Sequence, residues 1–374
     1  MFKQYFKFIV RKLSRNRVYT VINIVGLSIA FSAAWLIYSH TANEWNMDGD
    51  LKNSDNIYRV ITRYGDEDFW NCRTNTPFGP AAKRTFPEIV QVARYFQKDY
   101  RIKIEDSQDF TIEPKLAFVD PPFFDLFEIP VIQGKIDTTV FSWIVFTETS
   151  AKRYFNKENP IGKTVTIKDG INNRKKDIKC QVVAVIKDFP ANSTIQANII
   201  VDYRQGAPYF DEHRGNYSLY TYFHILPTAD LRAIEKKLPT IASNMPDDVN
   251  HYSHRLQPLK DIYFHSEHLR EDELLRGSQS LTYLLWSITI LILLLAAGNF
   301  LLIRIAQQDR DSSRFAIHKC YGASNKHLFY QLLGEIGLQT GVILLLSCIL
   351  TYGLHPYFIQ ILSPEHIYPF ELFN

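Results

Sequence analysis

Three uncharged apolar runs constrain the fold of this chain more than any other feature. They cover residues 18–40, 281–303 and 336–354. As a helix the middle run would be roughly 34 Å long, which matches the hydrocarbon thickness of a bilayer. Helices buried in the core of a soluble protein, the alternative, suit shorter apolar runs. The sequence therefore predicts a membrane protein with three transmembrane α-helices at these positions.

The polar part of the chain is one long insert, residues 41–280, between the first two runs. The overall composition hides this division, because 22% charged residues and a net charge of +3 resemble those of a soluble protein. So small a net charge gives no reason to expect nucleic acid as a partner. Membrane lipid is the expected partner of the three runs, and the insert is long enough to form its own core.

Basic residues predict the orientation of the chain. The residues before the first run include six basic ones and no acidic one: Lys3, Lys7, Arg11, Lys12, Arg15 and Arg17. By the positive-inside rule the amino terminus is cytoplasmic, which places the insert outside. Alternation then places the loop at 304–335 inside and the tail at 355–374 outside. The loop agrees, since its basic residues outnumber its acidic ones, and the tail has no Lys or Arg.

The first 17 residues predict a cytoplasmic amphipathic helix. Apolar residues recur there at helical spacing, with basic residues on the opposite face, as in helices that lie in the membrane interface. A cleaved signal peptide is the alternative. It would need an apolar core shorter than the run at 18–40, and a small-x-small cleavage site after that run and before Glu44; neither is present.

Small residues recur every fourth position in two of the runs, as Gly26, Ala30 and Ala34 in the first and Gly337 and Gly341 in the third. Such spacing lets helix backbones approach closely in lipid, which predicts helix packing at these positions. Ordinary composition is the alternative, since Gly and Ala are common in transmembrane helices.

The insert has the pattern of an α+β domain. Alternating or β-branched stretches at 57–62, 163–167 and 179–186 predict strands. Residues 150–155 and 229–238 predict helices between them. The predicted fold class is therefore a membrane protein with three transmembrane helices and a large α+β extracytoplasmic domain.

Motifs for nucleotide binding or nucleophilic catalysis are missing. Gly162, Lys163 and Thr164 resemble the end of a phosphate-binding loop, but position 157, where that loop needs glycine, is Lys157. No G-x-S-x-G motif occurs. We expect no catalytic residue and no cofactor in this chain.

Histidines and cysteines give weaker indications. His251, His254, His265, Glu267 and His268 lie close in sequence. Their spacing fits no zinc motif, so surface histidines are the favoured interpretation and no metal site is expected. Cys72 and Cys180 share the outer compartment, where a disulfide is permitted, but two cysteines alone indicate it only weakly.

The loop at 304–335 has a pattern of its own. Residues 307–319 predict a polar helix, Gly322 a stop, and Ser324 the cap of a second helix at 325–333. A short basic helix followed by a glycine turn is typical of a surface that receives a cytoplasmic partner. A plain connecting loop with arginines facing lipid is the alternative from spacing alone.

Motifs along nearly the whole chain resemble those of the MacB/FtsX-like permeases of bacterial ABC systems, in the form seen in Bacteroidetes. In chain order they cover residues 15–19, 21–27, 55–60, 147–155, 159–163, 185–193, 258–266, 319–324 and 332–335. Each motif has moderate specificity, and their order and spacing together are specific. The stretches at 147–155, 159–163 and 185–193 are similar to the family's periplasmic core domain.

The resemblance implies a bacterial inner-membrane permease without an ATPase of its own. In such systems two permease chains form a dimer, homomeric or heteromeric, and bind two separate ABC ATPase subunits, on which ATP is hydrolysed. The loop residues implied in this coupling are Arg310, Arg314, Phe315, Ile317, His318, Lys319, Tyr321, Gly322, Ala323 and Ser324. The motion passes to a periplasmic domain of two lobes, which drives export or extraction of periplasmic material or controls a periplasmic partner.

Two departures from the family pattern leave an alternative open. The coupling segment of the family commonly reads Glu, hydrophobic, Gly, hydrophobic, Arg, Lys. In this chain Arg314, Ala316 and His318 stand in place of the Glu, the Gly and the Arg. The charge reversal implies a different ATPase partner or a loss of coupling. The family unit has four spans, and this sequence ends at Asn374 soon after the third, as a truncated product, a fragment or a chain that works without the last helix. The alternative function is a membrane-anchored periplasmic binding module with no ATPase coupling.

Overall fold

The structure, a computed structural model, describes residues 17–65, 67–105, 107, 109–137, 142–168, 177–205, 219–242, 252–320 and 325–362. The predicted amphipathic helix lies, apart from Arg17, outside these residues, as does the predicted tail from residue 363. The chain forms two compact units. The helical unit lies within residues 1–45 and 279–374, and the sheet domain is Asn46–Ser278.

In chain order the elements are α1 (Arg17–Trp45), β1 (Ile57–Tyr64), β2 (Trp70–Asn71), α2 (Phe78–Thr85), β3 (Ile89–Ile104), β4 (Thr111–Val119), α3 (Phe123–Leu126), β5 (Val131–Gly134), β6 (Trp143–Thr147), α4 (Glu148–Phe155), β7 (Thr164–Lys168), β8 (Ile178–Ile186), β9 (Ile199–Asp202), β10 (Tyr220–Ile225), α5 (Leu231–Ala242), β11 (Tyr252–Pro258), α6 (Ile262–His265), β12 (Leu269–Arg270), α7 (Gln279–Cys320) and α8 (Asn325–Leu362).

The described residues contain three helices that are long and apolar enough to cross a membrane. They are Arg17–Trp45, Gln279–Ala306 and Leu332–Ile361. A large sheet domain with helices lies between the first two in sequence. The predicted fold class is confirmed.

The second and third helices are longer than their apolar runs. α7 continues through polar residues to Cys320, and α8 begins at Asn325. The predicted glycine stop and serine cap, Gly322 and Ser324, lie outside the described residues. A helix can outlast its apolar run because its backbone hydrogen bonds are internal. α8 also extends to Leu362, past the predicted end of the third run at 354 and through Pro356.

α1 and α8 lie side by side and run in the same direction. The Ser28 hydroxyl donates to the Ile343 carbonyl at 3.2 Å, and the Ser347 hydroxyl donates to the Ser28 carbonyl at 3.1 Å. One turn further along both helices, the Thr351 hydroxyl donates to the Ser32 hydroxyl at 3.0 Å. The residue numbers of the paired residues increase together along both helices, so the two helices are parallel. This arrangement is expected, because α7 lies between them in sequence and runs back in the opposite direction.

The small residues predicted to pack the helices are placed unevenly. Ala30 and Ala34 are buried on α1. Gly26 is half-buried with no atom near the position of a β-carbon, and Gly337 and Gly341 are exposed with the same open space. Among the described residues, hydrogen bonds from the hydroxyls of Ser28, Ser347 and Thr351 join α1 to α8, and the three glycines have no close neighbour within this chain.

Twelve strands of the described sheet domain form one mixed sheet. The strand order is β12-β2-β1-β10-β3-β4-β9-β6-β8-β5, with β11 on β1 and β7 on β3 and β8. Three pairs are parallel, β4 with β9, β6 with β8 and β12 with β2. The strands predicted at 57–62, 163–167 and 179–186 are β1, β7 and β8, and the predicted helices are α4 and α5.

Helices and apolar clusters divide this sheet into two halves. α2 and α5 pack with β1 and β10 around Phe78, Phe223 and Leu238. In the other half, α4 packs with β6, β7 and β8 around Phe146, Phe155 and Val165. A third and larger cluster spans the sheet and includes Ile57, Trp143, Ile195 and Leu274. The lobes implied by the resemblance are therefore halves of one continuous sheet.

Candidate functional site

The coupling residues taken from the resemblance fall at the end of α7 and just beyond it. Arg310, Arg314, Phe315, Ile317, His318 and Lys319 belong to the C-terminal part of α7. Tyr321, Gly322, Ala323 and Ser324 lie outside the described residues. We call residues 304–335 the coupling segment.

A buried ion pair ties α7 to α8 at the base of the coupling segment. Arg304 lies 3.2 Å from the Glu335 carboxylate, measured from Nη1 to Oε1, and its Nη2 donates to the Gln339 amide oxygen at 2.8 Å. The side chains of Arg304 and Glu335 are only 18% and 7% exposed. Charges within transmembrane segments are costly unless paired, so this contact fixes the two helices together where they leave the apolar spans.

Sequence reasoning counted Arg304 among the basic residues and Glu335 in a motif, and it missed their pairing. The signal that would have found it is one acidic residue at the start of an otherwise uncharged run, facing the first basic residue after the preceding run. Opposite charges at such positions meet whenever the two helices are antiparallel neighbours.

At the opposite end of the helical unit, a polar contact lies beside three aromatic side chains. The Thr282 hydroxyl donates to the Glu44 carboxylate at 3.0 Å, joining α1 to α7. Beside it Trp45 contacts Tyr283 and Trp286, with ring centroids 6.2 and 6.4 Å away. Tyr and Trp concentrate at membrane–water interfaces, so these rings mark the interfacial level of α1 and α7.

The chain that leaves α1 is held by a dense set of hydrogen bonds within the sheet domain. Asp48 is buried, and its carboxylate accepts from the Ser193 hydroxyl at 2.8 Å and from the Thr194 amide at 3.1 Å. The Thr194 hydroxyl donates to the second carboxylate oxygen. Burial raises the pKa of Asp48, and these hydrogen bonds partly oppose the shift.

Asn192 ties the same two stretches a second time. The Asp48 amide donates to the Asn192 carbonyl at 2.7 Å. The Asn192 side chain donates to the Asn46 carbonyl at 3.2 Å and to the Asp50 carboxylate at 2.7 Å. We call this set the Asp48 clamp; its members are Asn46, Asp48, Asp50, Asn192, Ser193 and Thr194.

A fully buried ion pair joins a residue near the start of the sheet domain to a residue near its end. Arg59 on β1 is 2.9 Å from the Asp272 carboxylate, and both side chains are 0% exposed. The Arg59 guanidinium also donates to Gln257 and Ser266, each at 2.8 Å. Asp272 lies seven residues before the chain enters α7 at Gln279. We call these four residues the Arg59 centre.

A cavity of about 560 Å³ opens beside α4 in the sheet domain. Apolar side chains and charged ones share its lining: Ile102, Ile104, Ser107, Asp109, Thr111, Ile112, Arg153, Tyr154, Phe155, Asn156, Glu158 and Lys163. The buried Glu113 carboxylate holds Arg153 and the Tyr154 hydroxyl. The volume lies within the range of small-molecule sites, and the mixed lining suits a ligand with both apolar and polar parts.

The histidines singled out from the sequence do not form one site. His265 and His268 are exposed, whereas His254 is buried and stacks on Phe78 at 4.3 Å, so the expectation of a surface histidine is wrong at this position. Burial lowers the pKa of His254 to about 3. Leu256, two residues further along β11 and therefore on the same face as His254, packs against the apolar cluster that contains Phe78. His251 lies outside the described residues, and within the described ranges no three metal-binding side chains cluster.

Cys72 and Cys180 are both free and buried, in different apolar clusters. The disulfide that their compartment would permit is not formed. Burial raises the pKa of each thiol to about 12, so both remain protonated and unreactive near neutral pH.

Two family models match the chain. The model of the MacB-like periplasmic core domain matches residues 20–241, and the model of the FtsX-like permease C-terminal region matches residues 286–373. No curated protein gives a significant match.

Several solved structures are similar to this chain. A permease-protein domain from Porphyromonas gingivalis is 18% identical, with a TM-score of 0.48, over 60% of this chain and 96% of that one. The periplasmic region of MacB from Actinobacillus actinomycetemcomitans is 16% identical, with a TM-score of 0.38, over 56% and 91%. The extracellular domain of the noncanonic ABC-type transporter YknZ from Gram-positive bacteria is 13% identical, with a TM-score of 0.40, over 53% and 99%.

Proposed function

The chain belongs to the family of MacB-like and FtsX-like permeases of ABC transport systems, and from that premise we propose that it transmits ATP-driven motion of a separate ATPase subunit to its own periplasmic domain. The resemblance in its motifs is confirmed by the two family models. Members of this family are permease components that work with an ABC ATPase and are not themselves catalytic.

The observation that carries the proposal is the continuity of α7 and α8. Each helix runs without a break from an apolar span into the coupling segment. Arg304 binds Glu335 and Gln339 at the base of that segment. A force applied to the end of either helix is therefore passed into both spans, because a helix held by internal hydrogen bonds and tied at its base resists bending.

Each part of the chain has a place in this proposal. The domains are a cytoplasmic amphipathic helix at 1–17, spans at 18–40, 281–303 and 336–354, the periplasmic domain at 41–280, the coupling segment at 304–335 and a periplasmic tail at 355–374. The basic flank of the first span supports a cytoplasmic amino terminus in a bacterium and a periplasmic sheet domain.

The docking surface for the ATPase is the stretch from Arg310 to Ser324. Because Arg314 is basic where relatives commonly have an acid, the matching ATPase surface is acidic there. Gly337 and Gly341 face open space on α8, which makes them candidates for contact with a second permease chain, together with the less exposed Gly26 on α1. The driven event is export or extraction of periplasmic material, or control of a periplasmic partner protein.

Purification of the native chain from membranes in mild detergent, with mass spectrometry of the proteins that accompany it, tests the proposal. A separate ABC ATPase subunit is expected with the wild-type chain. The charge reversal Lys319→Glu and the helix breaker Gly322→Pro are expected to release it. Lys179→Glu is the matched control, because it makes the same charge change at an exposed position of β8 and is expected to retain the ATPase.

An ATPase that stays bound to Lys319→Glu and Gly322→Pro would contradict the proposed docking surface. A wild-type chain that carries no ATPase, under conditions that preserve other membrane complexes, would contradict the coupling itself. Intact mass of the purified chain accompanies both measurements, so that loss of a partner is not mistaken for loss of part of the chain.

The second candidate function is a membrane-anchored periplasmic binding module without ATPase coupling. The observation that favours it is the cavity beside α4, whose volume of about 560 Å³ and mixed lining suit a small amphiphilic ligand. It predicts that native mass spectrometry of the purified chain finds a bound small molecule, which Phe155→Trp displaces by filling the cavity. It also predicts that Lys319→Glu has no effect on function.

A further inference from the structure

The stretch that follows α1 is held in place within the sheet domain and does not have the character of a flexible linker. A flexible linker is exposed and rich in Gly and Ser. Here Asp48 is 3% exposed and has a left-handed backbone with φ of 53°, a conformation that residues other than glycine adopt only where their surroundings hold it. Three of its hydrogen bonds come from the Ser193 hydroxyl and from the amide and hydroxyl of Thr194.

The partner stretch is anchored in the core of the sheet domain. Ile195 directly follows Thr194, and Ile195 and Ala197 are buried in the largest apolar cluster. Leu51, on the other side of the clamp, packs against the same cluster. A displacement of residues 46–50 must therefore move the core rather than be absorbed by a loop, because packed interiors transmit strain.

The described residues show no role for the Asp48 carboxylate besides these hydrogen bonds. Within the described residues it is not part of a cluster that would hold a metal, and the cavity beside α4 is lined by other residues. Burying a charge is costly unless hydrogen bonds compensate, and here they come from one short loop. Such bonds fix the position of two chain segments far apart in sequence.

We propose that the Asp48 clamp is the joint through which movement of α1 enters the sheet domain, with Asp48 and Thr194 as its positioning residues. The proposal rests on the function proposed above, since it names where ATP-driven motion passes from span to domain. The clamp makes this transfer by tying the residues after Trp45 to the loop before β9.

The test is hydrogen exchange with mass spectrometry on the native permease–ATPase complex, with and without a non-hydrolysable ATP analogue. In the wild type we expect nucleotide to change exchange both in the coupling segment and in β8 and β9. In Asp48→Asn combined with Thr194→Val, the change in the coupling segment persists and the change in β8 and β9 is lost. Asp55→Asn, at a side chain that is 78% exposed, is the matched control and keeps both changes.

A second variant separates transmission from mere folding. Asp48→Cys with Asn192→Cys removes the carboxylate and places two thiols on backbones joined by the hydrogen bond from the Asp48 amide to the Asn192 carbonyl, 2.7 Å long. The oxidised form, with its disulfide located by mass spectrometry, is expected to restore the nucleotide response in β8 and β9. The reduced form of the same protein is expected to lack it.

Three results would overturn the proposal. One is a full response of β8 and β9 in the doubly substituted or reduced variants, and another is no restoration by the disulfide. Both leave the proposed function standing, because the coupling segment still responds. No nucleotide response in the wild-type coupling segment is the third, and it overturns the proposed function together with the joint that depends on it.

Discussion

The helical unit and the sheet domain differ in the side chains that they bury and expose. On α1 the polar residues Asn23, Ser28, Ser32, Thr41 and Glu44 are buried. Apolar residues of the same helix are exposed, among them Val21, Ile22, Ile29, Phe31 and Trp35. In the sheet domain the largest fully buried side chains are mostly aromatic or aliphatic, including Trp143, Phe118, Phe146 and Ile57.

The difference teaches that the two units are adapted to different solvents. In water, burial of apolar surface drives folding, and apolar side chains therefore fill the core of the sheet domain. In lipid there is no such force between helices, so packing and interhelical hydrogen bonds hold them together. The hydroxyl contacts between α1 and α8 have that role in the helical unit.

The Arg59 centre is one of the places where the sheet domain buries charged side chains, and breaking it should have the largest effect. Arg59→Met leaves the Asp272 carboxylate buried without its partner, which costs about 3–5 kcal/mol of stability. Urea unfolding of the detergent-solubilised chain, followed by hydrogen exchange of β1 and β11, measures the loss. Arg101→Met, at an exposed arginine on β3, is the control and should change stability by less than about 0.5 kcal/mol.

Substitution by lysine at two isoleucines of similar exposure compares the two environments, lipid and water, directly. Ile29 on α1 is 56% exposed and Ile112 on β4 is 61% exposed. Ile29→Lys places a charge within a span and should disfavour membrane insertion by about 2.5–3.5 kcal/mol. Ile112→Lys should change stability by less than about 0.5 kcal/mol, because its side chain already faces water.

Extraction of membranes at alkaline pH measures insertion of the Ile29→Lys chain, and thermal unfolding measures the stability of Ile112→Lys. Equal tolerance of the two lysines would refute the view that α1 faces lipid. Equal damage would indicate that Ile112 is covered by a partner in the assembled protein.

Acid should reveal the buried histidine of the sheet domain. Burial lowers the pKa of His254 to about 3, whereas the unfolded chain has the ordinary value near 6.5. Below pH 6.5 the unfolded state binds the extra proton, so stability falls as pH falls and the loss reaches about 2 kcal/mol at pH 5. His254→Phe should remove this part of the pH dependence of hydrogen exchange in β11.

His268→Phe replaces an exposed histidine of the same domain and serves as the control. It should leave the acid sensitivity of β11 as it is in the wild type. An unchanged pH profile in His254→Phe would contradict the burial of a neutral imidazole against Phe78.

The smallest effect is expected from a single interhelical hydroxyl. Ser347→Ala removes the hydrogen bond to the Ser28 carbonyl and should cost about 0.6 kcal/mol, the average for such bonds in membranes. Detergent titration that separates the helices measures the loss. Ser287→Ala is the control, because the Ser287 hydroxyl is exposed and donates to Leu284 of its own helix. A loss of several kcal/mol would place α1 and α8 outside the ordinary behaviour of helices in lipid.

The sequence by itself determined the parts of this protein that depend on local pattern. Three uncharged runs predicted the apolar helices, and alternation predicted β1, β7 and β8. Helical spacing at 307–319 and 325–333 predicted the helical stretches that belong to α7 and α8. These features follow from the composition of neighbouring residues, because hydrophobic periodicity and capping act within a few turns of the chain.

Only the tertiary structure decided which distant residues meet. Asp48 and Thr194 are 146 positions apart, and Arg59 and Ser266 are 207 apart. Nothing in the local pattern of 46–50 distinguishes a clamp from an exposed acidic turn, and the sequence of β11 alone does not reveal that His254 faces Phe78. Such pairs are selected by strand order, and strand order depends on the burial of the whole core rather than on any single stretch.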